Sequence, residues 1–152
     1  RLLVTVGDAE RDIAELGELP ENVHVETWVA HDDAAAAAAV IVCHGGYGST
    51  LGALAHGVPL VVLPLFSADQ WANGRAVARA GAGICLDADG VTRGDADAAV
   101  LDLEQRVLAG AVQGALDDPG CRRGAEAIAE AMRALPPIER SADVLEDVAG
   151  AP

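Results

Sequence analysis

His44-Gly45-Gly46-Tyr47-Gly48-Ser49-Thr50 lies between the apolar run Val40-Ile41-Val42-Cys43 and the helical pattern Leu51-Gly52-Ala53-Leu54-Ala55. A strand, a glycine turn and a helix start are therefore contiguous. Such a junction suits an anion, because the first backbone N–H groups of a helix have no partner within it and the helix dipole favours negative charge there. Gly45 and Gly46 allow a turn through positive φ, and Gly48 allows a ligand to approach the main chain closely. Ser49 and Thr50 add hydroxyl donors. An ordinary tight turn with a Ser or Thr helix cap is the alternative reading. The spacing fits neither a P-loop, which needs a Lys after the glycines, nor the Gly-x-Gly-x-x-Gly dinucleotide fingerprint.

The elements that must position this turn follow from the hydrophobic pattern. Short β-branched runs alternate with Ala-rich stretches, the signature of βα units around a parallel sheet buried on both faces. Strands are expected at 2–6, 23–26, 40–43, 60–64 and 83–86, with helices near 9–16, 32–38, 49–56 and 69–80 as right-handed crossovers. Beyond Asp87 the chain turns helical. Thr92 is a candidate cap for a helix from Asp95 to Leu116 with Val100, Leu103, Val107 and Leu108 as its apolar stripe. Asp118-Pro119 ends it, a further helix runs from about Gly120 to Leu135, and Pro136-Pro137 leads into a last one near Ser141 to Val148. The fold class is thus α/β: a Rossmann-like parallel sheet with flanking helices and a helical tail, residues 1–152 forming one domain. Ligands of open parallel sheets bind at the carboxyl ends of the strands. Trp28-Val29-Ala30-His31, His44 to Thr50, Pro64 to Gln70 and Asp87 fall there together.

Composition narrows the partners. The formal charge is −14 and the chain has no Lys, which argues against nucleic acid, whose phosphate backbone is held mainly by Lys and Arg. A phosphorylated small molecule stays compatible, because backbone amides and a few side chains hold a diphosphate without a basic surface. Cys43, Cys85 and Cys121 are odd in number and lack metal-ligand spacing, so they read as free thiols of a reducing cytoplasm, with Cys43 and Cys85 buried at strand ends. No stretch is long and apolar enough to span a bilayer. The chain starts at Arg1 directly in a strand pattern without an initiator Met, and a piece of a larger protein is expected.

The four segments, in this order and with Gly57-Val58-Pro59 and Asp69-Gln70 in register, resemble the C-terminal donor-binding domain of GT-B glycosyltransferases that use nucleotide-sugars, nearest to bacterial enzymes that decorate natural products. The likeness is strongest over residues 20 to 90. It implies a UDP- or dTDP-linked hexose or deoxyhexose as donor substrate, no metal and no further cofactor. Trp28, followed by Val29, corresponds to the platform on which the pyrimidine stacks. His31 stands near base and ribose, where the family commonly has Gln, and Ala30 replaces a usual Pro. His44 corresponds to a diphosphate-contacting His, which can donate a hydrogen bond even when neutral. Gly46, Gly48, Ser49 and Thr50 are implied to cradle the phosphates, and Asp69 and Gln70 to bond sugar hydroxyls. Packing is the reading preferred for Trp71.

Two departures from the family bear on function. A Glu that grips the ribose is replaced by Gly52, so that contact is missing. The acceptor pocket and general base of such enzymes belong to an N-terminal domain that this chain does not contain, so no catalytic residue is assigned here, and the chain alone is expected to be inactive. Inverting sugar transfer to a small hydroxylated acceptor is the function implied for the parent. A non-catalytic glycosyltransferase-like auxiliary subunit and a nucleotide-sugar epimerase of the same architecture are the alternatives. Self-association is expected where a strand edge lies uncovered.

Overall fold

The computed structural model describes residues 1–7, 17–86, 105–137 and 139–150. Among these residues five short strands, β1 (Leu2–Thr5), β2 (Val23–Glu26), β3 (Ile41–Cys43), β4 (Leu60–Val62) and β5 (Gly83–Cys85), are all paired in parallel. The helices are α1 (His31–Ala37), α2 (Tyr47–Ala55), α3 (Ala68–Arg79), α4 (Gln105–Asp117), α5 (Pro119–Arg133) and α6 (Glu139–Ala149). The helix expected over 9–16, Asp87 and the cap at Thr92 lie outside the described residues. Among the described residues the strands form two groups, β1-β2 and β3-β4-β5, where one continuous sheet was expected. The chain leaves β2 through α1 and begins a new parallel group at β3, which pairs with β4.

β4 is the centre of the core. Leu60, Val61 and Val62 are fully buried, and alternation along the strand sends them to opposite faces. Leu60 and Val62 pack with Ala53, Leu54 and Val77 of α2 and α3 and Ala125 of α5. Val61 packs with Ala111 and Ala115 of α4. Burying each such side chain contributes about 1.5–3 kcal/mol. The inward face of α4 is Leu108, Ala111, Val112 and Ala115, at helical spacing, whereas Val107, expected to be part of the stripe, is exposed. Val100 and Leu103 lie outside the described residues. Asp118 does more than end α4: its carboxylate accepts the Gly120 N–H at 2.7 Å and caps α5, with Pro119 in the first turn.

Three close approaches hold these layers together. A Cβ on Gly74 of α3 would fall 2.6 Å from Cys85 Sγ, and one on Gly124 of α5 would fall 2.3 Å from the Gly81 carbonyl oxygen. Arg122 of α5 donates to the Gly57 carbonyl at 3.1 Å and the Ala39 carbonyl at 3.2 Å, tying α5 to the end of α2 and to the turn before β3. Cys43 and Cys85 are half-buried, short of the full burial expected from their apolar runs, because each sits at the open carboxyl end of its strand; Cys121 is buried.

Candidate functional site

The glycine turn is shaped by what lies behind it. Gly45 has φ +89°, and a Cβ there would stand 2.8 Å from both the Gln70 carbonyl oxygen and Val62 Cγ1. Asn73 Nδ2 donates to the Gly45 carbonyl at 2.8 Å, so the middle of α3 is fastened to the turn. Gly46 departs from the expected positive φ: it caps α2 with φ −60°. Its missing side chain matters for another reason, since a Cβ there would lie 2.5 Å from His44 Nε2. The imidazole therefore folds over Gly46.

Helix α2 starts at Tyr47, two residues before the expected Ser49, and no side chain caps it. The first helical hydrogen bond runs from Thr50 N–H to the Gly46 carbonyl at 3.0 Å, which leaves the Tyr47, Gly48 and Ser49 amides ahead of the ladder. A Cβ on Gly48 would meet nothing within 4 Å. Three amides without helical partners at a helix start are the groups to which an oxyanion binds. Thr50 does not present its hydroxyl to this opening. It is 5% exposed, and its buried Oγ1 makes no well-formed hydrogen bond among the described residues. It lies close enough to Cys43 to offset in part the burial that pushes that thiol's pKa up. Ser49 is half-buried.

The remaining expected residues line the same ends of the strands. Trp28 is 74% exposed in the loop after β2, and Val29 beside it is half-buried. His31 opens α1, and its Cβ and Nδ1 border the space over Gly52 at 3.9 and 4.0 Å from where a Cβ would be. Asp69 lies in the first turn of α3, exposed, and accepts the Ser67 hydroxyl. That hydrogen bond holds its carboxyl below the usual range, and His44 lies near enough to pull in the same direction. Gln70 is only 3% exposed. Its Oε1 accepts the Leu65 and Phe66 amides at 2.9 and 3.2 Å, so that oxygen is committed to the loop and only the NH₂ is left to face a ligand. Trp71 is half-buried, in keeping with packing.

Phe66 was missed from sequence. Its ring lies nearly parallel to the His44 imidazole, with centroids 6.5 Å apart at 14°. The chain has four Phe, Tyr and Trp residues, and three of them, Trp28, Tyr47 and Phe66, are exposed on segments that follow strand ends. Scarcity of aromatic residues, together with the place of Phe66 in the Pro64 to Gln70 segment at a strand end, is the signal that could have found it. Behind this rim, a groove of about 250 Å³ between α2 and α3 is lined by Leu51, Leu54, Val77 and Ile128 among others, with no charged residue to hold a phosphate. No helix among the described residues is long and apolar enough to cross a membrane, and no cluster of potential metal ligands occurs among them.

Comparison with known proteins agrees with this architecture. The elloramycin glycosyltransferase of Streptomyces olivaceus is 35% identical over 134 residues, 88% of this chain and 30% of that protein. The crystal structure of the kitacinnamycin glycosyltransferase superposes with a TM-score of 0.77 at 33% identity, covering 97% of this chain and 34% of the other. The spinosyn rhamnosyltransferase SpnG, solved with thymidine diphosphate, superposes with a TM-score of 0.75 at 26% identity over 95% of this chain and 35% of its own. The chain thus spans about a third of the length of each. The family model described as the erythromycin biosynthesis protein CIII-like C-terminal domain matches residues 2–148. Parallel strands, flanking helices and a match along nearly the whole chain lead to one assignment: the chain belongs to the erythromycin biosynthesis protein CIII-like family of glycosyltransferase C-terminal domains.

Proposed function

We propose that this domain binds a UDP- or dTDP-linked sugar and is the donor half of an inverting glycosyltransferase. The uncapped start of α2, open above Gly48 and flanked by His44, carries the reading. The Tyr47, Gly48 and Ser49 amides take the diphosphate, with His44 as a further donor. The pyrimidine stacks on Trp28, with His31 beside the ribose in the room that Gly52 leaves. Asp69, ionised well into acid, accepts from sugar hydroxyls, and the Gln70 NH₂ donates to one. The acceptor hydroxyl, deprotonated by a base from a partner domain, displaces the nucleoside diphosphate at the anomeric carbon with inversion. The charge growing on that leaving group is what the α2 amides and His44 stabilise. A solved relative in complex with thymidine diphosphate supports the nucleotide class.

Fluorescence titration with UDP and dTDP tests this in a Trp71→Phe background, where Trp28 is the sole reporter. Saturable quenching that His44→Ala weakens is expected. Absence of any response to either nucleotide, in this chain and in the protein joined to its acceptor domain, overturns the reading.

A further inference from the structure

Gln70 is unusual among the site residues in being almost fully buried with its oxygen already engaged. A group whose task was only to meet a sugar would keep both ends of its amide free. Instead, Oε1 bridges two consecutive amides, Leu65 and Phe66, closing the loop between β4 and α3 onto the first turn of α3. Two amides converging on one buried acceptor fix the backbone direction at Phe66, and with it the point from which the aromatic ring departs. That ring is 61% exposed, so it is not held by burial in the core; its ring contact in this structure is the His44 imidazole. Gly46 lies so close to His44 that any side chain there would strike Nε2.

We propose that Gln70 and Phe66 are positioning residues for His44: the buried Gln70 oxygen sets the loop, and the Phe66 ring, so placed, keeps the imidazole folded against Gly46 at the mouth of α2. His44 lies directly after β3 and is itself exposed, so it has several rotamers open to it. Parallel rings at this separation are within the range of favourable offset stacking. The consequence is a donor nitrogen already aimed at the anion-accepting end of the helix before ligand arrives, which reduces the ordering that binding must impose. The proposal rests on the nucleotide-binding reading for its purpose and on free-chain geometry for its existence.

The test begins without ligand. In ¹H–¹³C spectra of the full chain, the His44 ring resonances, assigned with His44→Ala, should move when Phe66→Leu removes the stacked ring. They should move likewise in Gln70→Leu, which frees the loop, whereas Gln70→Glu, which retains the bridging acceptor, should restore the wild-type position. Unchanged His44 resonances in Phe66→Leu, or equal displacement in Gln70→Glu and Gln70→Leu, overturn the proposal. Phe66→Leu alters an exposed side chain, so it decides the placing of His44 by Phe66 even where the Gln70 variants do not fold. A double-mutant cycle with dTDP as probe separates positioning from direct contact. Phe66→Leu should weaken dTDP about threefold to tenfold in the wild type and have no further effect on His44→Ala. An undiminished effect in the His44→Ala background assigns Phe66 to the ligand itself and overturns the proposal. Failure of the wild type to bind dTDP or UDP refutes the nucleotide reading, and the free-chain spectra still decide the positioning.

Discussion

Two alanine substitutions three residues apart should behave in opposite ways. At Gly45, φ is +89° and a Cβ would press on the Gln70 carbonyl and on Val62 at 2.8 Å. Left-handed backbone costs a non-glycine residue about 1–2 kcal/mol, and overpacking against a fixed carbonyl adds about 1–3 kcal/mol. Gly45→Ala should therefore lose about 2–5 kcal/mol of stability. Gly48 lies inside α2 with open space around its Cβ direction, and Gly→Ala within a helix gains up to about 1 kcal/mol. Being in the first turn, Gly48→Ala should gain roughly half of that, about 0.5 kcal/mol. In the proposed site the same methyl stands where the diphosphate comes close to the amides, so the more stable variant should be the weaker binder. Urea unfolding gives the first quantity, through midpoints at constant m-value, and nucleotide titration on Trp28 gives the second. A Gly48→Ala chain that is stabilised and binds UDP and dTDP at wild-type strength would remove the α2 amides from the site. A Gly45→Ala chain of unaltered stability would refute the turn geometry itself.

Three further outcomes are expected. Ser67→Ala should bring the Asp69 pKa back up toward the usual carboxylate range. Because the native pKa is depressed, the stability it confers is present above the unfolded-state value and disappears as pH falls through the native one, so the two proteins should differ at neutral pH and converge in acid; NMR titration and urea melts at several pH values check this. Arg122→Ala, which leaves the Gly57 and Ala39 carbonyls without their charged donor, should cost about 1.5–3 kcal/mol in urea unfolding while nucleotide affinity stays the same. Burial raises the Cys43 pKa, so its alkylation by iodoacetamide near pH 8 should be much slower in the native chain than in urea, as read by mass spectrometry; equal rates would refute its placement under the turn.

The βα alternation was legible because the runs that make β4 and its neighbours are short, β-branched and bounded by glycine or proline, and burial on both faces demands continuous hydrophobicity. Boundaries were less so. The start of α2 was expected at Ser49, since three glycines in seven residues argue locally against helix. Tertiary contacts override that preference: Asn73 holds the Gly45 carbonyl, and Gly46 supplies the cap. Which site residues face outward also escaped the sequence. Thr50 lies one position beyond Ser49, and a rotation of about 100° per helical residue is enough to take its hydroxyl into the interior. The relation of Gln70, Phe66 and His44 depends on a loop folding back over another strand's end, which no local pattern encodes.

The Asn73 hydrogen bond to the Gly45 carbonyl, with Gln70 backing the same turn, welds the segment after β3 to the segment after β4. On the reading proposed above, in which Asp69 and Gln70 meet the sugar, exchanging residues 64–73 alone between members of this family would leave the receiving loop mismatched to residues 44–50. The two stretches form a single exchangeable cassette, and chimeras that keep their joint should retain stability and nucleotide binding where those that split it lose both.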